Sequence, residues 1–155
     1  MRLPMTGGCQ CGAVRYEIAA EPSTLYACHC ADCQHQTGSA FALSLIVPRA
    51  AVRVTKGAPA VWERPGSQTT SGTPADCVFC LECGARLYNL PSRNRAIAVV
   101  KPGTLDDTSW LKPVGHIWTK SAQPWVRFDE GTLLYEGSPP DFAALAAAWE
   151  AQIEG

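Results

Sequence analysis

The sequence predicts a mainly β fold: a small antiparallel sheet of short strands, with cysteine-rich turns, one short helix and one C-terminal helix. Three observations predict it. The apolar segments are brief and end at Gly or Pro, of which there are 13 and 12 in 155 residues, and such punctuation suits strands and turns. Strand-like segments follow one another without the intervening long helices that parallel βαβ units need. Two of the cysteine groups end in Cys-Gly and run straight into a strand pattern, "CGAVRY" and "CGARLY". The length suits one domain spanning residues 1–155, large enough for a hydrophobic core.

Taken in order, "AVRYEI" (13–18) alternates as a strand should, and "AFALSLIV" (40–47) is an apolar run stopped by Pro48, the pattern of a buried strand. "AVRVTKG" (51–57), "AVWERPG" (60–66), "ARLYNL" (85–90), "AIAVVKPG" (96–103) and "GHIWT" (115–119) add further short strands bounded by turn residues. "ADCQHQTG" (31–38) predicts one or two helical turns closed by Gly38. The second helix is expected over about 139–153. Ser138 can cap it, Pro139 suits its first position, and Asp141 lies near its positive end. Phe142, Leu145, Ala146, Trp149 and Ile153 make one apolar stripe that should pack on the sheet. Trp118 and Trp125 sit in strand-like context and read as core. The polar stretch "RPGSQTTSGTPADC" (64–77) reads as a surface loop, either plainly solvated or covering a site, since it leads into the last cysteine group.

Thirteen Lys+Arg against fourteen Asp+Glu leave a net charge of −1, with no strongly basic stretch. A nucleic-acid partner is therefore not expected. No apolar run is long enough to span a membrane. The N-terminus "MRLPMTGGCQCG" has no hydrophobic signal region. A cytoplasmic location follows as the expectation, with the oligomeric state, a homodimer included, left open. Reducing cytosol disfavours disulfides. The eight cysteines are spaced C-x-C, C-x-C-x2-C and C-x2-C-x2-C. Thiols this close seldom bridge one another, but one turn can aim two of them at one metal ion.

Cys9 and Cys11 in "GGCQCG" and Cys80 and Cys83 in "FCLECG" read as two zinc knuckles. Gly12 and Gly84 would allow the positive φ such turns use. Together they offer four thiolates for a closed structural zinc, although three cysteine groups can be partnered in more than one way. Cys28, Cys30 and Cys33 remain in "ACHCADCQHQTG". In an extended segment Cys28 and Cys30 point the same way and His29 points away. A zinc with three protein ligands keeps an open position, the mark of a catalytic or ligand-binding site. The alternative is a closed site with the spare Cys77 as fourth ligand, or with His29, His35 or His116 competing. Otherwise Cys77 is a buried thiol. An iron–sulfur run would need a further cysteine where Leu87 stands.

"GGCQCGAVRYE", "CHCADCQHQTGSAF", "FCLECGARLY" and "PVGHIWTKSAQPWV" together resemble the GFA family, named for glutathione-dependent formaldehyde-activating enzyme, over roughly residues 6–128. The resemblance implies an Mss4-like fold and two zinc ions per chain. The structural zinc would lie on Cys9, Cys11, Cys80 and Cys83, and the catalytic zinc on Cys28, Cys30 and Cys33. It also implies a carbon–sulfur lyase that condenses a thiol such as glutathione with formaldehyde or another small aldehyde. Cys77 departs from the family pattern, where this position is often basic. Losing that cation should bear on affinity for an anionic thiol. At the open zinc a substrate thiol would lose its proton and attack the aldehyde carbon. Amide N–H groups at the start of the 31–37 helix are candidates to receive the oxygen, and His35 or His116 to supply a proton. The alternative reading is a non-catalytic, zinc-stabilised binding or thiol-carrier module.

Overall fold

Alternation of buried and half-exposed residues marks the strands Arg15–Ile18 and Ile97–Val100 of this computed structural model, which describes residues 1–154, whereas Thr24–Cys28 is buried throughout. In chain order the elements are β1 (Met5–Gly8), β2 (Arg15–Ile18), β3 (Thr24–Cys28), α1 (Ala31–Thr37), β4 (Ala42–Pro48), β5 (Val52–Lys56) and β6 (Ala60–Arg64). They continue with β7 (Ala75–Phe79), β8 (Arg86–Pro91), β9 (Ile97–Val100), β10 (Gly115–Ile117), β11 (Leu133–Leu134) and α2 (Ala143–Glu154). Two sheets result. The smaller is antiparallel, in the order β1-β2-β5. The larger runs β11-β10-β3-β4-β9-β8-β7-β6.

The fold is mainly β with two helices, as the sequence implies, but its larger sheet is neither small nor wholly antiparallel. β10 pairs in parallel with both β3 and β11. The connection between β10 and β11, residues 118–132, is long enough for this, because parallel neighbours need a crossover rather than a tight turn. β1, β3 and β11 lie in stretches without a clear strand pattern, and β7 begins inside the polar 64–77 stretch. Their pairing partners hold them in the sheets, β3 even by a strand distant in sequence, β10, and tertiary context then outweighs local propensity.

Leu25, Leu45, Val47, Leu87, Ala98 and Val100 are fully buried in the large sheet. Each buried leucine contributes about 1.5–3 kcal/mol of transfer free energy. Helix α2 starts at Ala143, later than expected. Pro139 and Pro140 offer no N–H, and Asp141 Oδ1 accepts the Ala143 N–H at 2.9 Å, which sets the start. Only part of the expected stripe is covered: Leu145 and Trp149 are buried, whereas Phe142 and Ile153 are 42% and 43% exposed. The helix is tied to the strand beneath by Thr24 Oγ1, which donates to the Leu145 carbonyl at 3.0 Å, and by Trp149 Nε1, which donates to the Pro22 carbonyl at 2.9 Å. Among the described residues no helix is long and apolar enough to cross a membrane.

Candidate metal centres and the cleft beside them

Residues 9–14 form the turn between β1 and β2, and residues 80–85 form the turn between β7 and β8. The two are built alike. In the first, the Cys9 amide donates to the Val14 carbonyl at 3.0 Å and the Gly12 amide to the Cys9 carbonyl at 3.1 Å. In the second, the Cys80 amide donates to the Ala85 carbonyl and the Gly84 amide to the Cys80 carbonyl, both at 2.9 Å. Gly12 and Gly84 take φ of +74° and +72°, the left-handed region where a side chain is strained. Backbone N–H groups then face sulfur. The Val14 amide donates to Cys9 Sγ at 3.2 Å. Chiefly through that bond, the Cys9 thiol is pulled down to about 6.

These turns bring the sulfurs of Cys9, Cys11, Cys80 and Cys83 within 4.8 Å of one another. Cys9 and Cys11 lie 3.5 Å apart, and Cys11 and Cys80 lie 3.8 Å apart. A tetrahedron with metal–sulfur bonds of about 2.3 Å needs sulfurs about 3.8 Å apart. The donor set therefore fits a thiophilic ion such as zinc, and it joins a turn of the small sheet to a turn of the large one.

Cys28, Cys30 and Cys33 form the second group, again with all sulfurs within 4.8 Å. Cys28 ends β3, Cys30 is the residue that begins α1, and Cys33 lies in its first turn. Cys28 Sγ is 3.5 Å from Cys30 Sγ. The thiols of Cys28 and Cys33 donate to Cys30, and the amides of Cys33 and Asp32 add to them, so Cys30 is held down to about 2. Cys28 moves the other way, raised by its bonds to Cys30 and Cys33 and by burial. A cation would be needed to hold all three deprotonated, which is the service a metal supplies. The same geometry corrects one expectation. The first amides of α1 already face Cys30 Sγ, so they are committed to a ligand rather than to a substrate oxygen.

Cys77 joins neither group. It is fully buried on β7, with Sγ 3.8 Å from the Ala75 carbonyl. Strand alternation explains the histidines. His116 faces the side of β10 opposite Ile117, and there His29 Nε2 lies 2.9 Å from His116 Nδ1. Phe41 and Phe128 pack around the pair. Burial lowers both, His29 to about 4, with His116 the second cause for His29. His35 is exposed on α1, beside a shallow hollow with Gln123 and Trp125. None of the three histidines joins the metal groups among the described residues. Trp125 is 66% exposed rather than core, and Trp118 is half-buried.

A cleft of about 520 Å³ opens beside Cys28, Cys30 and Cys33. Its floor is one face of the large sheet. Cross-strand pairs run in a row from Thr24 through Ile46, Val99 and Asn89 to Cys77 and Trp62. Trp118, Phe142 and Ala146 wall one side. Trp118 takes φ of +58°, rare for a bulky residue, and Lys120 Nζ sits 4.9 Å over its ring. Ser71 and Thr73 of the polar loop line the cleft, and the Thr70 amide donates to Asp32 Oδ2 at 2.7 Å. The loop therefore covers the site rather than merely facing solvent.

Three cations in this cleft escaped the sequence reading: Lys101, Arg64 and Arg93. Lys101 is 8% exposed, and burial lowers its pKa, against the pull of Cys33, Cys28 and Cys77. The signal that could have found it is the period of two in Ile97, Val99 and Lys101, all of which line the cleft.

Comparisons with known proteins give the family and a structure of similar fold. The sequence model of the GFA family, described as "Glutathione-dependent formaldehyde-activating enzyme", matches residues 4–121. Among solved structures, a crystal structure of a Rhodobacter sphaeroides protein matches with a TM-score of 0.52 at 20% identity. The match covers 84% of this chain and 99% of that one. At that identity the likeness concerns the fold.

Proposed function

The chain belongs to the family of glutathione-dependent formaldehyde-activating enzymes, and from that premise we propose that it is a carbon–sulfur lyase. It joins a glutathione-like thiol to formaldehyde or another small aldehyde, or cleaves the adduct. The observation that carries this is the three-sulfur group of Cys28, Cys30 and Cys33 at the head of a cleft. A zinc ion on three thiolates keeps one position for an outside sulfur and favours that sulfur's deprotonated form. Cys9, Cys11, Cys80 and Cys83 hold a second, structural zinc.

The chain's own part is to hold and shield. Cys30 is fixed by the amides of Asp32 and Cys33. Phe142 and Trp118 offer apolar walls to a substrate's carbon skeleton. In the reaction the thiol gives up its proton, and the thiolate pair forms the C–S bond. The carbonyl π pair moves to oxygen, which takes a proton, so thiol plus formaldehyde becomes an S-hydroxymethyl thioether. His35 and His116 both lie outside the cleft lining, so neither is assigned that proton.

Cys30→Ser tests the reading. The variant should stay folded and keep one metal ion by mass spectrometry, but lose enzyme-dependent thiol–aldehyde turnover. Turnover equal to the parent would remove the triad from the chemistry.

A further inference from the structure

We infer that the end of this cleft walled by the C-terminal segment binds an apolar group, so that the preferred aldehyde carries an alkyl chain of several carbons and formaldehyde is not the best substrate. The inference rests on the thiol–aldehyde reading above and names the class of aldehyde.

The apolar wall begins beside the sulfurs. Tyr26 and Cys28 share one face of β3, about 7 Å apart along the strand, because residues two apart point the same way. The Phe142 ring lies 5.4 Å from the Tyr26 ring, centroid to centroid. Ile117 of β10 pairs with Cys28, and Ile46 of β4 pairs with Thr24. All of these line the cleft. A carbonyl group held beside Cys28 would therefore lay its substituent along Tyr26, Ile117, Ile46 and Phe142.

This wall is fixed by the protein itself. The Trp118 amide donates to the Gly137 carbonyl at 3.0 Å, and the Ala146 amide to the Phe142 carbonyl at 2.9 Å. Thr24 Oγ1 is spent on the Leu145 carbonyl. Leu145 and Trp149 seat the helix in the core, yet Phe142 is left exposed on the cleft side. An exposed aromatic ring in a preformed concave site is the kind of surface that takes an apolar ligand. The family match ends at residue 121, so Ser138, Phe142 and Ala146 reach the cleft from outside the matched segment. The polar groups gather elsewhere, under the 64–77 loop: the Thr70 amide donates to Asp32 Oδ2 at 2.7 Å, and Asn89 Nδ2 to Gln36 Oε1 at 3.4 Å. Size points the same way. Formaldehyde has two heavy atoms, and a water molecule takes about 30 Å³ of liquid. A cleft of about 520 Å³ is many times larger. Methylenes gain from its apolar end, where the amide groups of a peptide thiol find few partners. The chemistry is unchanged by the chain: the thiol S–H adds across the C=O, the C–S bond forms, and the π pair goes to oxygen, which takes a proton to give a hemithioacetal.

Enzyme-dependent turnover of straight-chain aldehydes from formaldehyde to hexanal, with one thiol at fixed concentration, tests this on the metal-bearing protein. kcat/KM should rise about two- to four-fold per added methylene, as burial of each one predicts. Phe142→Ala should cut the hexanal-to-formaldehyde ratio about ten-fold. Ala146→Phe, which narrows the same end, should lower it too. Hexanol cannot react, and its binding, followed by NMR titration, should weaken in both variants. A series that is flat or falls with chain length, while formaldehyde is turned over, would overturn the inference and leave the lyase reading standing. So would a ratio that neither substitution changes. No turnover of any aldehyde, with hexanol bound by the parent and more weakly by Phe142→Ala, would instead strike the lyase reading and leave the apolar site standing. Loss of turnover and of hexanol binding together would remove both.

Discussion

At the scale of single residues, Cys77 separates two descriptions of the cleft. Its sulfur is buried against the Ala75 carbonyl and apart from both metal groups. Cys77→Ala should therefore leave the metal count at that of the parent and cost about 1 kcal/mol of stability through lost packing. Metal analysis beside a denaturant melt checks both. Asp106 gives a pH prediction. The Arg15 guanidinium, then the Thr6 hydroxyl, hold its carboxyl below the usual range. Its stabilising contribution is thus complete above the ordinary carboxylate pKa of about 3.9 and is lost as pH falls through the lowered value. Both side chains are partly exposed, at 35% and 46%, so the effect should be modest and weakened by salt. Asp106→Asn should flatten the acid side of the melting-temperature profile; an unchanged profile would mean that the pair contributes nothing. The metal-group cysteines were legible in the sequence because ligand spacing is local: two thiols in one turn need no knowledge of distant strands. Lys101 was not, because its direction depends on the register between β9 and β4.

At the scale of elements, the two cysteine turns and α2 make separable predictions. Gly84 sits at φ +72° with open space where a Cβ would go, so Gly84→Ala meets backbone strain rather than a clash. The cost should be about 1–2 kcal/mol. It should appear as faster metal loss to a chelator, measured against the parent. Leu145 of α2 is fully buried, and Leu145→Ala should destabilise by about 2–5 kcal/mol in chemical denaturation. The helix itself could be read from its apolar spacing. Its start could not, because two prolines and Asp141 shift the first hydrogen-bonded turn. Similarly, β7 hid inside a polar stretch, since a strand held on both sides by β6 and β8 needs little propensity of its own.

At the scale of the whole molecule, the four-sulfur group spans the two sheets and links positions 69 residues apart at Cys11 and Cys80. With metal bound, such a site adds on the order of 10 kcal/mol to folding. Cys80→Ser should accordingly prevent stable folding, whereas Cys30→Ser should not. The fold class followed from short punctuated strands, but the parallel seating of β10 between β3 and β11 did not. That seating places Ile117 on the cleft face and turns His116 to the other side, beside His29. The division between a chemical face and a buried histidine pair is therefore set by long-range topology.

The central claim is that Cys28, Cys30 and Cys33 together hold a metal that accepts an outside sulfur. Cobalt replacement of the native metal, followed by addition of glutathione, tests it most directly. A rise in thiolate-to-cobalt charge-transfer absorption, saturating at one thiol per chain and absent in Cys30→Ser, is the predicted result. A spectrum unchanged by glutathione in the parent would contradict the claim.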